Sequence, residues 1–292
     1  MLATVVVFSA AFALPGDPAR VIAGRRQVSA DTLRAIRLRY HLDKPLPEQY
    51  LRWVGGLLHG DLGQSYASRR PVTDVLLDAL PVTVKLVLLT LAIELAISTI
   101  VGAVTSGRRG SRLDSGVLTT CVLALSVPTF VVGAVLQDLA GVRWKILPVA
   151  GISSTFSYVL PACTLAVVGY AVGARLLRSQ MMAHRNEQHV TTARSKGLSE
   201  SAITRRHIFR NALVPFVAFI GLEIGALAGG SIVVERIFNL PGVGGAVARA
   251  VGQRDNALII GFTMAVIGTY LVVDLLVDVA ALLLDPRLRG VS

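Results

Sequence analysis

Four acidic residues stand well inside long apolar runs of this sequence, away from the ends of the runs, where a carboxylate is costly and therefore informative. They are Glu94, Glu223, Asp274 and Asp278. A carboxylate within a bilayer can bind a cationic part of a solute, carry protons, or pair with a neighbouring helix. Asp274 and Asp278 are four residues apart and share a helix face, and for them we favour structural pairing. For Glu94 and Glu223, structural pairing and a place on a pathway through the membrane are equally open.

No arrangement typical of an enzyme active site is evident in the sequence. The five histidines are scattered, and the patterns H-E-x-x-H, G-x-S-x-G and G-x-x-x-x-G-K-[ST] are absent. Cys121 and Cys163 stand in apolar runs without C-x-x-C spacing, which favours packing over metal binding or a disulfide. The sequence therefore predicts no catalytic residue, no metal site and no ATP hydrolysis by this chain.

The composition indicates a membrane protein. Of the 292 residues, 53% are hydrophobic and only 16% are charged, and the mean hydropathy is +0.63, whereas about 25% of the residues of a soluble domain are charged. The net charge of +11 is also typical of nucleic-acid binders. Here, however, the basic residues lie between apolar runs, and few aromatic residues are available to stack on bases, which argues against that class.

Five apolar runs are long enough to cross a bilayer, which requires about 20 helical residues. They are approximately Pro81–Ser106, Gly116–Ala140, Val159–Leu177, Ala212–Val234 and Ala257–Leu284. A sixth run, Leu2–Leu14, is short, and we interpret it as a first membrane helix whose true start lies upstream. A signal peptide ending at Ala11–Ala13 is the alternative, although no basic segment precedes it.

The distribution of lysine and arginine predicts which loops face the cytoplasm. Between the first two long runs stand Arg108, Arg109 and Arg112. Between the third and fourth stand Arg178, Arg185, Arg194, Lys196, Arg205, Arg206 and Arg210, and the tail carries Arg287 and Arg289. Both chain ends are then cytoplasmic. Residues 15–80 carry ten basic residues on the opposite side, but a segment of that length is translocated largely regardless of charge. We expect it to form helices in "SADTLRAIRLRYHL" and "PEQYLRWVGGLL".

The densest positive cluster contains a patterned stretch, "HVTTARSKGLSESAITRRHIFRNALVP", from His189 to Pro215. The pattern predicts a short helix over Gln188–Lys196, a break at Gly197 and a second helix that begins at a Ser199 cap. The connection is long for a minimal turn, so we expect a partner to dock there. From these residues alone, a loop that merely lies on anionic lipid is an equal alternative.

This stretch resembles the cytoplasmic signature loop of bacterial ABC importer permeases, in their dipeptide/oligopeptide (nickel) subgroup. Thr192 and Ala193 stand where that loop has paired small residues, and Gly197 is its marker glycine. Four other segments are similar to the first (B-type) permease subunit: "LPGDP", "LDKPLPEQYLRWVGGLLHGDLGQSY", "IFNLPGVGG" and "DPRLR". Thr191 departs from the usual glutamate, and Arg210 stands where the general loop ends in proline.

The resemblance implies an all-α integral membrane permease with six transmembrane helices. Residues 1–14 would be the shortened first helix, residues 15–80 an extracytoplasmic helical region, and residues 81–292 a five-helix core with a cytoplasmic coupling loop at 178–211. The implied partners are a homologous second permease, two ABC ATPase subunits and an extracytoplasmic solute-binding protein. This chain would bind no cofactor, with ATP and Mg²⁺ on the ATPases. The implied location is the bacterial inner membrane, and the implied function is import of di- or oligopeptides or a related solute.

The resemblance also assigns residues to roles. Those implied to couple the permease to an ATPase are Thr192, Ala193, Lys196, Gly197, Leu198, His207, Arg210 and Asn211; His207 either caps a helix or contacts the partner. On the opposite face we expect a tight turn at Pro241, Gly242 and Gly244, then a short gating helix, Ala246–Gln253. Arg249 and Arg254 would contact the binding protein, and a simple surface turn is the plainer interpretation.

The alternative function is a proton-coupled secondary transporter that uses the intramembrane carboxylates. A membrane scaffold without a transport role is a third possibility.

Overall fold

The computed structural model describes residues 2–13, 17–23 and 28–284, and most of them are helical. Within these residues, β-structure is limited to one isolated antiparallel bridge between Gln64 and Pro71. The α-helices are α1 Leu2–Ala13, α2 Pro18–Ala23, α3 Ala30–Arg39, α4 Leu46–Leu58, α5 Val72–Ser106, α6 Arg112–Ser126, α7 Thr129–Leu136, α8 Val159–His184, α9 Gln188–Ser195, α10 Glu200–Ile203, α11 Arg210–Ile237, α12 Val243–Gln253 and α13 Asn256–Leu284. Two π-helices, Gln137–Arg143 and Thr204–Phe209, and a 3₁₀-helix, Thr155–Tyr158, complete the set. The predicted all-α class is confirmed.

Four continuous helical segments are long and apolar enough to cross a membrane, judged by length and composition over the described residues. They are Val72–Ser106, Thr155–His184, Glu200–Ile237 and Asn256–Leu276. These segments contain or overlap four of the five predicted long runs. The helix α5 begins at Val72 rather than at the predicted Pro81, which lies within it. A proline inside a membrane helix is tolerated because neighbouring groups can satisfy the backbone atoms that it leaves unpaired.

The apolar run Gly116–Ala140, predicted as one membrane helix, is broken into two parts in the structure. Its two parts, Arg112–Ser126 and Thr129–Arg143, meet at an angle of 101°. Pro128 is the cause, because a proline disfavours the helical conformation of the residue before it. Val127 accordingly has extended torsions, with φ −96° and ψ 125°. The pair forms a fifth span only if both bent parts are counted together.

The predicted first membrane helix is helical but short. At 1.5 Å per residue, the twelve residues of α1 extend only about 18 Å. This is less than the apolar thickness of a bilayer, about 30 Å. Leu14 lies outside the described residues.

The described chain divides into two compact units, of which the first comprises residues 1–83 and 240–269. Its helices α3 and α4 confirm the two helices predicted in the polar region, and the Ser29 side chain caps α3 by accepting a hydrogen bond from the Thr32 amide at 3.2 Å. One core cluster of this unit centres on Val72 and Phe262, and another packs Phe8 of α1 against Ile260 and Met264 of α13.

The second unit comprises residues 84–239 and 270–292. Its central helix is α8, which packs along α11 and also contacts α6 and α7. The buried residues of α8 include Ala162, Ala166, Gly169, Ala174 and Leu177. The first four are small, which allows neighbouring helices to approach α8 closely. This unit contains the connection between α8 and α11, which carries the predicted coupling residues.

Candidate functional site

The connection between α8 and α11, residues 185–209, is called the α8–α11 joint below. The predicted short helix is confirmed as α9, with Lys196 as its C-cap. The predicted second helix does start at a Ser199 cap, whose side chain accepts a hydrogen bond from the Ala202 amide. It does not end within the joint, however, but continues through the π-helix into α11. The predicted loop 178–211 is therefore mostly helical.

Gly197 ends α9 with a Schellman motif. Its φ is +76°, a left-handed conformation that only glycine adopts at little cost. The amide of Gly197 donates to the Arg194 carbonyl at 3.0 Å, and the amide of Leu198 donates to the Ala193 carbonyl at 3.3 Å. A Cβ added at Gly197 would meet no atom within 4 Å. Within this chain, the glycine is thus required by backbone torsion and not by lack of space.

One face of α9 is anchored to the spans. Val190 and Ala193 are buried in a cluster with Leu177 and Met181 of α8 and with Phe216 of α11. Full burial of a side chain the size of valine contributes about 1.5–3 kcal/mol. A movement of α9 would therefore be transmitted to α8 and α11 through packed side chains.

The opposite face of α9 is open to solvent. Thr192, Lys196 and Leu198 are exposed, as are Arg210 and Asn211 at the start of α11. Ala193 is 4% exposed. Gly197 is exposed as well. Of the predicted coupling residues, Ala193 therefore packs inward, whereas the six exposed ones are available to a partner.

A polar cluster not predicted from the sequence holds the N-terminal end of α9 in place. Glu187 contacts His184 through an Oε1–Nδ1 distance of 2.6 Å and His189 through an Oε2–Nδ1 distance of 3.1 Å. The Nε2 of His189 lies 3.3 Å from the Asn211 Nδ2, and the rings of His189 and His207 are 6.2 Å apart. The H-x-x-E-x-H spacing was the available signal. His207 thus lies beside this cluster in the described structure.

An ion pair spans the break at Gly197. The Arg194 Nε and Nη2 donate to the two carboxylate oxygens of Glu200 at 2.5 and 3.2 Å. The hydrogen bond to Glu200 raises the pKa of Arg194 above its ordinary value. Since both side chains are exposed, the pair contributes little stability, but it links α9 to α10.

A buried ion pair connects α6 to α8. Arg178 Nε and Nη2 each lie 2.7 Å from a different Asp114 carboxylate oxygen, and the two side chains are 16% and 4% exposed. Arg178 was counted as a loop charge in the sequence analysis. It lies instead within α8. The S-x-x-D pattern at Ser111–Asp114, typical of a helix start, was the signal for Asp114.

The intramembrane acids lie in different environments. Glu94 of α5 is 1% exposed, and neither of its carboxylate oxygens has a hydrogen-bond partner in the described structure. The carboxylate packs directly on Gly169 of α8, and Glu223 of α11 is close enough to interact with it electrostatically. Glu223 is half-buried and Asp274 is exposed. The Asp278 side chain lies outside the described residues, so a structural role for Asp274 and Asp278, paired with a partner subunit or with backbone groups, stays a prediction.

In the first unit, the predicted turn and short helix are present. The helix α12 begins at Val243, three residues earlier than predicted, after an N-cap at Gly242. Gly242 and Gly244 are buried, whereas Pro241, Arg249 and Arg254 are exposed. Arg254 is the C-cap of α12 and has a left-handed φ of 56°.

The end of α12 is fastened to the polar N-terminal region by Asp255. The buried carboxylate of Asp255 accepts hydrogen bonds from Ser65 Oγ at 2.6 Å and from the Ala67 amide at 3.0 Å. Burial and the nearby Asp255 charge raise the pKa of Tyr66 to about 12. Tyr66 is thus neutral at physiological pH. Among the described residues, no group of three or more His, Cys, Asp or Glu side chains could hold a metal ion.

The fold and the joint together define a polytopic helical membrane protein with an anchored helix between two spans. Solved structures of this class have the same fold. A methionine ABC transporter in an inward-facing conformation matches with a TM-score of 0.60 at 14% identity, over 73% of this chain and 97% of the solved chain. An amino acid ABC transporter matches with a TM-score of 0.58 at 16% identity, over 72% and 94%.

Sequence comparison defines the family. Residues 98–290 match the binding-protein-dependent transport system inner membrane component, and residues 1–87 match the N-terminal part of such membrane components. A glutathione transport system permease protein of Pectobacterium atrosepticum is 36% identical over 99% of this chain and 94% of its own length. A putative peptide transport system permease protein of Brucella abortus is also 36% identical, with the same coverage.

The chain belongs to the binding-protein-dependent transport system inner membrane component family. It is an all-α membrane permease of the ABC importer type, as the sequence resemblance predicted. Family membership also implies that ATPase subunits and a solute-binding protein act with it.

Proposed function

We propose that this chain is one permease subunit of an ATP-driven importer that moves short peptides, or a chemically related small solute, into the cytoplasm. The observation that carries the proposal is the α8–α11 joint. Its helix α9 has a buried face packed on two membrane helices and an exposed face with no covering side chain in the described structure. That arrangement suits a lever between a moving partner and the spans.

The coupling is proposed to work by rigid movement of α9. ATP-driven closure of the ATPases would displace the exposed face that carries Thr192, Lys196 and Leu198. The buried residues Val190 and Ala193 would pass this displacement to α8 and α11. The spans would then expose a central path to one side or the other, a two-state equilibrium biased by nucleotide.

The proposed orientation follows the positive-inside rule. The basic joint lies on the cytoplasmic side together with both chain ends, in the inner membrane of a bacterium. The α2–α4 region and α12 then lie outside. A homologous second permease completes the pathway, two ATPases carry ATP and Mg²⁺, and this chain itself binds no cofactor and has no enzymatic activity.

The proposed substrate class rests on the relatives. The two relatives are named as a glutathione transport permease and a putative peptide transport permease, and both match over nearly the whole chain. A short peptide offers an ammonium group, a carboxylate and amide groups. Glu94 and Glu223 are proposed to lie along the path of such a solute, where they could interact with its ammonium group.

The outer face is proposed as the docking surface for the solute-binding protein. Arg249 and Arg254 are exposed on or beside α12, which is the proposed gate. With cysteine at position 249, we expect crosslinks to the binding protein during turnover and none from cysteine at Arg108. Absence of crosslinks from position 249, with the Arg108 variant inserted and active, would contradict docking here.

Energy coupling tests the proposed function. We would reconstitute the chain with its partners in proteoliposomes and measure peptide uptake with ATP and with a protonophore. Uptake should require ATP and should persist when the proton gradient is collapsed. Collapse of uptake with ATP intact would instead indicate a proton-coupled carrier that uses Glu94 and Glu223.

A further inference from the structure

An open pocket of about 560 Å³ lies beside the α8–α11 joint, within the second unit. Its apolar lining consists of Ala103 from α5, Met181 from α8 and Phe209 from the π-helix. Ala103 lies three residues before the end of α5, and Met181 three residues before the end of α8. The pocket is therefore located where two candidate membrane-spanning helices end.

The polar lining of the pocket is rich in groups that bind anions. It consists of Arg185, Arg205, Ser201, Thr204 and Glu200. Glu200 already accepts two hydrogen bonds from Arg194, so its charge is compensated outside the pocket. Arg185 is also close enough to Glu200 to interact with it electrostatically. The lining thus carries two positive charges and one negative charge, and the pocket is cationic.

Arg185 has unused hydrogen-bonding capacity. Its Nε is buried and has no hydrogen-bond partner in the described structure. A buried donor without a partner is destabilising, so a ligand that accepts a hydrogen bond from this nitrogen binds favourably. Arg205 is exposed and makes no ion pair among the described residues. Arginine forks match the oxygens of a phosphate especially well.

The π-helix contributes to the shape of the pocket. Thr204 and Phe209 both line it although they are five residues apart. In an α-helix, residues at this spacing point about 140° away from each other. The wider π-helical turn, with i to i+5 hydrogen bonds, brings them to one side. Local π-helical geometry is thus used here to place a hydroxyl and an aromatic ring in the same pocket.

We propose that this pocket binds the phosphate headgroup of an anionic membrane phospholipid, with an acyl chain along Ala103, Met181 and Phe209. The inference rests on the proposed function for its membrane topology, which places the pocket in the cytoplasmic leaflet. Basic pockets at the cytoplasmic ends of membrane helices are suited to anionic headgroups. A free phosphate would use the arginines but would leave the apolar side of the pocket uncovered. The lipid would brace the start of the helix that leads from the joint into α11.

Two neighbouring arginines provide a matched test. Arg205 lines the pocket, whereas Arg206 is equally exposed on the same π-helix and does not. We would assemble the full chain with its partner subunits in nanodiscs of phosphatidylcholine with added phosphatidylglycerol. Lipid that remains bound after transfer to detergent would be quantified by native mass spectrometry. Loss of one charge-assisted contact should weaken phosphatidylglycerol binding about tenfold in Arg205→Gln, with little change in Arg206→Gln.

The remaining outcomes separate the possible occupants. Equal retention of phosphatidylglycerol in Arg205→Gln and Arg206→Gln would overturn the proposal, as would displacement of the lipid by millimolar inorganic phosphate. Unchanged lipid binding with loss of ATPase copurification in Arg205→Gln would assign the pocket to the partner instead. Arg185→Gln should lose bound phosphatidylglycerol in the same way as Arg205→Gln. Because Arg205 is exposed, its substitution is not expected to disturb folding. Retention is measured without ATP or substrate, so a failure of transport with normal lipid binding would count only against the proposed function.

Discussion

At the scale of single residues, the contact between Glu94 and Gly169 has the strongest steric consequence. A carboxylate with no hydrogen-bond partner in the described structure is packed against the backbone of α8. A methyl group at position 169 would overlap that carboxylate. The glycine therefore leaves the space that the Glu94 carboxylate occupies between α5 and α8.

We predict that Gly169→Ala destabilises the protein by about 1–3 kcal/mol, the usual cost of overpacking. Thermal unfolding in nanodiscs would measure the change. Gly229→Ala is the matched control, because a Cβ there meets no atom within 4 Å. The double variant Gly169→Ala with Glu94→Ala should recover part of the loss, since the carboxylate is gone. Equal stability of the Gly169→Ala and Gly229→Ala variants would contradict the contact.

Some of these residue positions could be predicted from the sequence, and others could not. Hydropathy and length were sufficient to place Glu94 and Glu223 inside spans, because a continuous apolar run of about 20 residues indicates a membrane helix. They could not bring Glu94 to Gly169, since packing partners on different helices depend on how those helices are rotated. The Ser199 cap and the break at Gly197 were predictable, because both depend on local backbone chemistry.

At the scale of elements, the ion pair between Asp114 and Arg178 fixes α6 against α8. Its partners are 64 residues apart in the sequence, which is why the charge pattern alone assigned Arg178 to a loop. Similarly, the bend at Pro128 was missed because the apolar run continues across it without a change in composition. Long-range pairing depends on tertiary packing, whereas the bend follows from the local effect of Pro128 on Val127.

We predict that Arg178→Gln destabilises the protein clearly more than Arg70→Gln, because it removes the guanidinium that neutralises the Asp114 carboxylate between α6 and α8. Arg70→Gln is the control. Arg70 lies 2.8 Å from Asp78 in an ion pair whose side chains are 51% and 68% exposed, so its loss should cost little stability. Chemical or thermal unfolding of both variants would measure the difference. A similar small effect in both would show that the buried pair does not hold α6 to α8.

At the scale of the whole molecule, the proposed coupling depends on the α8–α11 joint moving as a rigid connection between the ATPases and the spans. Similarity over almost the full length places the chain in its family. The described structure adds how the joint is built, with a Schellman turn at Gly197, an ion pair across it and a buried face on α9. If this geometry couples the ATPases to the spans, changing the turn should uncouple them without removing any span.

The central measurement is substrate-stimulated ATP hydrolysis by the assembled importer with Gly197→Val. Valine at a φ of +76° is strained by about 1–3 kcal/mol, which should displace Thr192 and Leu198. Membrane insertion, measured by protease accessibility, should be unchanged. Gly197→Asn is the control, because asparagine tolerates this conformation. We predict that the valine variant loses stimulated hydrolysis and uptake and that the asparagine variant retains most of both. Normal ATPase copurification, stimulated hydrolysis and uptake in Gly197→Val would contradict the account.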